Sequence, residues 1–351
     1  HEGIYYLWRP EQVRELLGDA YDVFAQRFGL DQDANFEGQW HLTVRQPIGD
    51  IAKATGRKEE TVASAIDEAK KTLLSERLKR VAPGRDEKQL TSWNALAIRG
   101  LAIAGRALER PELIDAAARA ANFLKSTLLV DGRLRVSYKD GEARFSAYLD
   151  DHAFLLDALL ELLQSRWDSA HLAFAVDIAD LMLEHFEDSE GGAFFFTADD
   201  HETLIHRPKP LADEAVPSGN GIAAFSLQRL GFLLGETRYL DAAERTLGAS
   251  WQAIKEYPHG HVSLLIALEE YLHHPEIIVI RGEQEEIARW RDAAAKLYAP
   301  RRLVYAIEAN ATGLPGALAD RAAVDGETVA YRCLGSHCEM PVTTWEALAA
   351  Q

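Results

Sequence analysis

The sequence predicts a mostly α-helical fold, an α/α toroid with short β-hairpins and a small α/β appendage at the C-terminus. From about residue 90 onwards, long apolar helices alternate with amphipathic helices, and the unit repeats every 60–70 residues or so. The apolar helices are hydrophobic almost all round, so we expect them to be buried inner helices. A closed ring buries such helices better than an open solenoid, which leaves one concave face in water.

The C-terminal segment has a different pattern from the repeats. Residues 277–280 and 303–307 are typical of short buried strands, and a helix is expected between them at about 285–297. We therefore expect two domains, with residues 1–274 forming the toroid and residues 275–351 the small α/β appendage.

The composition excludes several classes of partner. A net charge of −17 argues against nucleic acid, whose phosphates a binder neutralises with Lys and Arg, and against anionic membrane surfaces. No apolar run approaches the roughly 20 residues that span a bilayer, and no signal-peptide pattern opens the chain. Two cysteines give no disulfide framework, which favours a reducing, cytoplasmic location. The start at His1 rather than Met suggests a processed product or a fragment.

The first 80 residues contain a motif that resembles a DNA-binding element. We expect a helix from Pro10, because proline lacks only an N–H that the first helical turn leaves free. Residues 50–66 then show the helix, glycine turn and second helix of a DNA-reading motif. The second helix carries Glu59, Glu60 and further acidic residues, so we interpret this segment as a helical hairpin on the outside of the fold.

The repeating units begin with the inner helices. We expect these at about 92–108, 148–164 and 218–234, with a fourth at 262–272. Thr91 or Ser92 can cap the first of them. Each of the first three leads through a short turn into an amphipathic outer helix.

Short β-hairpins are expected between these helix pairs. One should include residues 134–138 and turn at 139–141, and the other should include residues 191–197 and turn near 199–200.

Polar clusters stand directly before the inner helices. In a ring the inner helices run parallel, so the segments 86–94, 150–152, 213–220 and 259–261 should emerge at one end. The helix N-termini add partial positive charge there, which suits oxygen-rich or anionic ligands. The sequence therefore predicts one shared site at one mouth of the ring.

Several motifs at these positions point to a known family. They are SWNALAI (92–98), YLDDHAF (148–154), GGAFFFT (191–197), RPKP (207–210) leading to PSGN (217–220), and YRCLGSHCEMPV (331–342). Over most of its length the sequence resembles the spermatogenesis-associated protein 20 family, also called thioredoxin-domain-containing proteins. The resemblance implies a thioredoxin-like domain joined to an α/α toroid, and this toroid is similar to those of the six-hairpin glycosidases and N-acylglucosamine 2-epimerases.

The resemblance implies a toroid that acts in carbohydrate metabolism, with a small-molecule carbohydrate as its partner. It also implies that the thioredoxin-like domain, which would precede His1, is absent from this chain. The chain departs from the family pattern at SWNA for SWNG, at PSGNG for PSGNS, at His152 for a usual Tyr and at Glu214 for a usual Gly. The resemblance supplies a fold and a substrate class but not a mechanism.

Carboxylates at the predicted mouth are the candidate acid and base groups. Glycoside hydrolysis requires two carboxylates across a cavity, one as acid and one as nucleophile or base. We expect Asp151, Asp213 and Asp86 to have catalytic roles. Asp150 and Asp151 point about 100° apart on a helix, so at most one of them faces the mouth. Both could instead interact with the dipole of their own helix.

Other polar and aromatic residues at the mouth are candidates for substrate binding. Histidines could move a proton at a sugar carbon, as an epimerase or isomerase requires, or they could cap and pack the helices. Trp93 could stack on a sugar face or fill the core, and Arg207 and Lys209 could hold a carboxylate, phosphate or anomeric oxygen. The predicted substrate-binding residues are Trp93, Asn94, Asp150, His152, Arg207, Lys209, Ser218, Asn220, His259 and His261.

No metal or cofactor is expected. Cys333, Cys338 and His337 are one ligand short of a structural zinc site, and the C-x4-C spacing is too long for a CxxC redox pair. The sequence has no phosphate loop, dinucleotide fingerprint or GxSxG elbow. We expect both cysteines to be reduced or loosely paired.

Three functions are compatible with these observations. The first is an enzyme that acts on a sugar or sugar derivative by epimerisation, isomerisation or glycosidic cleavage. The second is a sugar-binding or regulatory module without turnover. The third is a scaffold whose chemistry belongs to the missing thioredoxin-like domain.

Overall fold

Helices dominate the computed structural model, which describes residues 3–324 and 326–349. By its internal contacts the chain divides into two units, one ending at Asp86 and the other beginning at Glu87. The helices are α1 (Pro10–Leu17), α2 (Tyr21–Phe28), α3 (Ile48–Thr55), α4 (Glu59–Arg77), α5 (Thr91–Ala107), α6 (Pro111–Phe123), α7 (Leu149–Ser165), α8 (Ser169–His185), α9 (Gly219–Leu234), α10 (Thr237–Glu256), α11 (Val262–Leu272), α12 (Gln284–Ala295), α13 (Ala317–Asp320) and α14 (Trp345–Ala349).

Strands are short by comparison. They are β1 (Leu7–Trp8), β2 (Trp40–His41), β3 (Gln89–Leu90), β4 (Leu129–Val130), β5 (Arg133–Lys139), β6 (Glu142–Ser146), β7 (Glu276–Gly282), β8 (Arg302–Glu308), β9 (Val329–Leu334) and β10 (His337–Cys338). None of the helices in the described part of the chain has both the length and the apolarity that a bilayer-spanning segment needs.

The N-terminal unit is built from α1 to α4 and the β1–β2 pair. Apolar side chains of α1, α2 and α4, among them Val13 and Phe24, form one core cluster around Trp8. The guanidinium of Arg80 lies 4.0 Å from the Trp8 ring centroid and donates to the carbonyl of Leu7. The helices α3 and α4 meet at Gly56, so the predicted helical hairpin is confirmed.

The second unit contains the predicted inner and outer helices. The inner helices α5, α7 and α9 are followed by the outer helices α6, α8 and α10, and α11 is a fourth inner helix. Along α7 every residue except Asp150 is buried, and α9 is buried almost throughout. The outer helices α6 and α10 bury only one face. The inner helices α5 and α11 also bury only one face, which corrects the expectation that every inner helix is buried all round. The predicted class, mostly α with inner and outer helices paired as in an α/α toroid, is confirmed.

One of the two predicted hairpins forms. The strands β5 and β6 pair antiparallel, and β5 also pairs with β3 and β4. Residues 191–197 form no strand, which corrects the second prediction, and a single bridge joins Glu187 to Phe194. The side chain of Asn220 takes the place of a partner strand, because its Oδ1 accepts from the N–H of Phe194 and its Nδ2 donates to the carbonyl of the same residue.

The C-terminal appendage is a four-stranded sheet in the order β10-β9-β7-β8. The helix α12 connects the parallel strands β7 and β8, while β9 runs antiparallel to β7. One face of the sheet, including Ile277 and Tyr305, belongs to the same core cluster as the inner helices. The other face packs against α12 through Trp290. The predicted α/β appendage therefore exists within the second unit, and its boundary at residue 274 stays a prediction.

Glycine allows α9 and α11 to approach each other closely. A Cβ atom on Gly221 would lie 2.1 Å from Ser263 Oγ and 3.0 Å from the backbone nitrogen of Leu264. Gly248, in the exposed face of α10, has no atom within 4 Å of the corresponding position. Two helical glycines in the same unit thus differ strongly in the space around them.

We predict that Gly221→Ala lowers the free energy of unfolding by about 1–3 kcal/mol, because the added methyl group forces α9 and α11 apart. Gly248→Ala is the matched control and should raise it by about 0.5–1 kcal/mol, since alanine is the better helix former. Urea unfolding of both variants checks this pair. Equal effects of the two substitutions would show that α9 and α11 do not pack as closely as the structure has them.

Candidate functional site

The N-terminal ends of the inner helices meet through carboxylates that accept backbone hydrogen bonds. Asp151 lies in the first turn of α7, and its Oδ2 accepts from the N–H of Tyr148 at 2.9 Å. Its Oδ1 accepts from the N–H of Ser92, in the first turn of α5, at 3.0 Å. One side chain therefore satisfies free N–H donors at the starts of two helices.

Asp213 makes the corresponding bonds for α9 and α11. Its Oδ1 accepts from the N–H of Ser218, the N-cap residue of α9, at 2.8 Å and also from the hydroxyl of Ser263. Its Oδ2 accepts from the N–H of Ser263, in the first turn of α11, at 2.9 Å. Burial alone would raise the pKa of Asp213, but the hydrogen bonds from Ser263 and Ser218 outweigh it and hold this pKa below its usual value.

Asp150 lies between α7 and α9. A Cβ atom on Gly219 would stand 2.2 Å from its Oδ1, so the carboxyl group lies directly against the start of α9. Burial raises the pKa of Asp150 to about 6, and the backbone N–H of Gly219 opposes this. Burial likewise raises the pKa of Asp151 to about 6, against the bonds from Tyr148 and Ser92. Since helix starts contact helix starts, the four inner helices run parallel, as predicted.

The predicted cap of α5 is wrong. The N-cap residue is Leu90, which offers no side-chain bond, and the hydroxyl of Thr91 donates instead to the carbonyl of Arg135. The N–H of Ser92 is satisfied from α7 by Asp151. Thr91 and Ser92 suggested a cap from the same segment of the chain. The group that accepts from the first turn of α5 is instead Asp151, 59 positions away from Ser92.

Several predicted binding residues lie in the hydrogen-bond framework behind the helix starts. Asn220 is fully buried and also donates to the carbonyl of Pro210. The hydroxyl of Ser218 donates to the same carbonyl. Arg207 donates to the carbonyl of Thr197, and Lys209 pairs with Asp188 at 2.5 Å. Asn220 and Ser218 thus tie the loop 191–217 to the start of α9, while Arg207 and Lys209 hold the loop to itself and to Asp188. The predicted contacts of all four side chains with a substrate stay predictions.

Two predicted histidines also have backbone partners. The Nδ1 of His152 lies 2.8 Å from the carbonyl of Tyr148, and the Nδ1 of His261 lies 2.8 Å from that of Tyr257. Burial lowers the pKa of His152 to about 4, so this ring is neutral and donates from Nδ1. His259 differs from both because it is exposed and lines a cavity.

The remaining predicted residues are at or near the start of α5. The Nδ2 of Asn94 donates to the carbonyl of Leu90 at 2.8 Å. Trp93 is 66% exposed, which leaves its ring free of the core. Asp86 is exposed, ends the N-terminal unit and lies in residues 81–88, which have no regular secondary structure. Its catalytic role stays a prediction.

A cavity of about 550 Å³ opens between the inner helices just below their N-terminal ends. All four inner helices contribute to its wall, together with the loop before α9. Of the predicted site residues, Asp213 and His259 lie in this wall. The lining residues are Leu96, Arg99, Phe154, Asp157, Asp213, Glu214, Ala215, Val216, Pro217, Ile222, Phe225, His259, Val262, Ser263 and Ile266.

An ion pair between a half-exposed arginine and a buried aspartate forms the polar part of this wall. The Nε of Arg99 on α5 lies 2.6 Å from Oδ2 of Asp157 on α7. The other oxygen of Asp157, Oδ1, is buried and has no hydrogen-bond partner among the described residues. Burial raises the pKa of Asp157, although the positive charges of Arg99 and Arg229 oppose this. An unpaired carboxylate oxygen beside a cavity can accept a hydrogen bond from a ligand.

Further charges lie deeper along the same helices. Arg229 on α9 pairs with Glu270 on α11, with Nε and Oε2 2.9 Å apart, and lies 3.9 Å from Glu161 on α7. Arg106 on α5 also pairs with Glu161. The guanidinium of Arg229 is 3.8 Å from the ring centroid of Phe225, which lines the cavity. Each of these buried charges has an opposite charge beside it, as a buried ionic cluster requires.

Arg99 and Asp157 are functional candidates that the sequence analysis missed. The polar clusters in the sequence lie at the helix starts, whereas these two residues lie two turns further into α5 and α7. The available signal was a single charged residue within an otherwise apolar stretch, in ALAIRGLAIAG and in HAFLLDALL. A charge at such a position is expensive to bury and therefore indicates a partner or a ligand.

Two further groups bear on metals and redox chemistry. His185, Asp199 and Asp200 could together offer three ligands, but Asp200 pairs with Arg133 and Asp199 with His185. We assign no metal to this exposed group. Cys333 and Cys338 form a disulfide bond, which corrects the expectation that they are reduced or only loosely paired.

The fold and the cavity define a protein of paired inner and outer helices, with a pocket of apolar and charged side chains near the starts of the inner helices. No family model matches the chain. Human spermatogenesis-associated protein 20 is 27% identical in an alignment 380 positions long, which covers 97% of this chain and 48% of that protein. An uncharacterised protein of Caenorhabditis elegans is also 27% identical, over 99% of this chain and 51% of its own length. The resemblance that the motifs indicate is confirmed, and the chain spans about half the length of these relatives.

Solved structures with a similar arrangement cover part of the chain. Cellobiose 2-epimerase from Spirochaeta thermophila aligns with a TM-score of 0.39 and 20% identity, over 46% of this chain and 43% of that one. The GH76 α-mannanase BT2949 from Bacteroides thetaiotaomicron aligns with a TM-score of 0.40 and 12% identity, over 69% and 72%.

We predict that Asp151 and Asp213 affect stability with opposite pH dependence. The pKa of Asp151 is about 6 in the folded protein against an ordinary 3.8, so its stabilising effect is complete below 3.8 and is lost as the pH rises through 6. The lost amount is about 3 kcal/mol by the usual conversion. The pKa of Asp213 is lowered, so its contribution is present above 3.8 and is lost as the pH falls.

Urea unfolding of the wild type, Asp151→Asn and Asp213→Asn at a series of pH values measures this. The stability difference between wild type and Asp151→Asn should shrink from pH 4 to pH 6, while that for Asp213→Asn should shrink towards acid. Parallel pH profiles for the two variants would contradict the assigned environments.

Proposed function

We propose that the inner-helix cavity binds a small carbohydrate and that the chain acts on it by epimerisation, isomerisation or glycosidic cleavage. One observation carries this proposal: Asp157 and Asp213 line the same cavity, and their surroundings move their pKa values in opposite directions. Two carboxyl groups with separated pKa values are what general acid and general base catalysis require.

In this proposal Asp157 is the acid. Its raised pKa favours the protonated form, and its unpaired Oδ1 is the atom that would donate to a sugar oxygen. Arg99 holds the other oxygen and so fixes the direction of the carboxyl group.

Asp213 is the proposed base. Its lowered pKa keeps it ionised, and it already accepts three hydrogen bonds. A carboxylate offers about four lone-pair positions, so a substrate hydroxyl or water would share the last of them with the backbone N–H of Val262, which also lowers this pKa. His259, exposed at the same cavity, is the alternative group for proton transfer at a sugar carbon.

The cavity favours an uncharged sugar over a phosphorylated one. Its volume of about 550 Å³ lies in the range of small-molecule sites. Phe154 and Phe225 offer aromatic surface for a sugar ring. Around the same space Asp157, Asp213 and Glu214 bring three carboxyl groups against the single guanidinium of Arg99, so a phosphate would meet an excess of acidic groups.

Sugar binding without turnover is the second candidate function. The observation that favours it is the engagement of both carboxyl groups in structural contacts, an ion pair for Asp157 and helix-capping bonds for Asp213. The predicted catalytic roles of Asp151 and Asp86, a cytoplasmic location and a thioredoxin-like domain preceding this chain are also proposals, which the sequence resemblance and composition support.

Binding can be tested with a thermal-shift screen of neutral mono- and disaccharides against their phosphates, followed by calorimetry on the hits. We expect a neutral sugar to bind and Asp157→Asn to weaken that binding by about tenfold, the usual effect of losing one hydrogen bond. Glu112→Gln, on the exposed face of α6, is the matched control and should bind normally.

A second pair of variants tests whether filling the cavity blocks sugar binding, without changing any charge. Ile266 lines the cavity and is 48% exposed, so Ile266→Trp should fill the space without unfolding the protein and should block binding. Ile205→Trp, at a fully exposed loop position, should leave binding unchanged. Phosphosugars as the preferred ligands, or normal binding by Ile266→Trp, would place the site elsewhere.

Turnover can be measured by recording proton NMR spectra of the sugars that bind, over time, in the presence of the protein. An enzyme should show an activity that falls on both sides of a pH optimum, with Asp157→Asn removing the alkaline limb because the acid no longer titrates. Binding in calorimetry with no change in the sugar's spectrum would support the module without turnover.

A further inference from the structure

The disulfide between Cys333 and Cys338 joins two strands of the appendage at its edge. Cys333 in β9 and Cys338 in β10 are directly opposite in the antiparallel register. The strand β10 is only two residues long and pairs with β9 alone. The two-residue turn between the strands begins with Gly335, whose φ of 59° suits a tight hairpin.

The two sulfur-bearing residues differ in accessibility. Cys333 is fully buried, because its strand is paired with β7 on one side and β10 on the other. Cys338 is exposed on the edge strand. An attacking thiolate can therefore reach Cys338 and not Cys333, which sets the order of any exchange reaction.

A fixed positive charge stands beside the accessible sulfur. The guanidinium Nη2 of Arg321 lies 3.7 Å from Cys338 Sγ. Arg321 is buried and anchored, because its Nη1 donates to the carbonyl of Leu233 at the end of α9 and its own carbonyl accepts from Arg281. A guanidinium at such a position favours a thiolate over a thiol at Cys338.

The disulfide bond closes a small loop, so it contributes little to the stability of the fold. Cross-linking residues so near in sequence removes little entropy from the unfolded chain, worth about 2 kcal/mol in the loop-closure picture. The β7–β9 ladder already holds Cys333 in place without it.

We propose that Cys333 and Cys338 form a thiol–disulfide exchange site that reacts with dithiol reductants while the protein stays folded. In the forward direction a thiolate of the dithiol attacks Cys338 Sγ, the Sγ–Sγ bond breaks, and Cys333 leaves as a thiolate that takes up a proton. The second thiol of the reductant then attacks the mixed disulfide, and Cys338 leaves as a thiolate beside Arg321. Two electrons pass to the protein, and the dithiol becomes a disulfide.

Mass spectrometry of the whole chain tests this, with dithiothreitol as reductant under native conditions and iodoacetamide as alkylating agent. We expect full reduction with an unchanged circular dichroism spectrum, and alkylation of Cys338 about tenfold or more ahead of Cys333. In Cys333→Ser, the Cys338 thiol should lose reactivity by a similar factor when Arg321→Gln is added. Arg301→Gln, an exposed arginine of the same unit, is the control and should not change it.

If Arg321→Gln does not fold, the reduction and alkylation of the wild-type protein still test the proposal. A disulfide that dithiothreitol reduces only in denaturant would show a structural cross-link and overturn the proposal. Preferential alkylation of Cys333 would also overturn the proposal, because the proposal requires Cys338 to be the accessible sulfur.

Discussion

The second unit depends on carboxylates that bind the first N–H groups of neighbouring inner helices. A buried helix start leaves N–H donors unpaired, and each unsatisfied buried donor costs about 1–3 kcal/mol. Asp151 pairs such donors on α5 and α7, and Asp213 does the same for α9 and α11. Asp150 brings α7 against Gly219 of α9. These three side chains connect four parallel helices at one end and so fix the width of the space between them.

That arrangement separates capping groups from groups that face the cavity. The caps use backbone N–H donors at the helix starts, which leaves little of Asp151 for any other partner. About two turns deeper, Arg99 and Asp157 line the cavity, and one buried carboxylate oxygen of Asp157 is unpaired among the described residues. Only Asp157 of this pair is buried, and the cost of desolvating its carboxylate offsets much of the attraction to the half-exposed Arg99. The Arg99–Asp157 pair is therefore easier to explain by ligand binding than by folding.

The positions of the inner helices could be predicted to within one or two residues. A stretch that is apolar all round has few alternatives to a buried helix, and the three repeats reinforced one another. The capping of α5 could not be predicted, because its acceptor comes from another helix and not from Thr91. The run 191–197 has the aromatic composition of a strand, but the side chain of Asn220 binds the backbone of Phe194 in place of a partner strand.

Only part of the candidate site could be predicted from the sequence, because contacts between distant parts of the chain decide the rest. The sequence pointed to polar clusters before the helices, and Asp213 and His259 from those clusters do line the cavity. Most other members of the clusters hold loops and helix ends together, as Lys209 does with Asp188. Which polar group faces a cavity depends on the helix rotation and on the neighbouring helix. Sequence spacing alone does not give that information.

A crystal structure with a bound neutral disaccharide tests the central claim most directly. The caps should keep their bonds to Ser92 and Ser263, and the sugar should lie between the inner helices with a hydroxyl within hydrogen-bonding distance of Asp157 Oδ1. A sugar bound instead at Trp93 or beside Arg207, with the inner-helix cavity empty, would contradict the account.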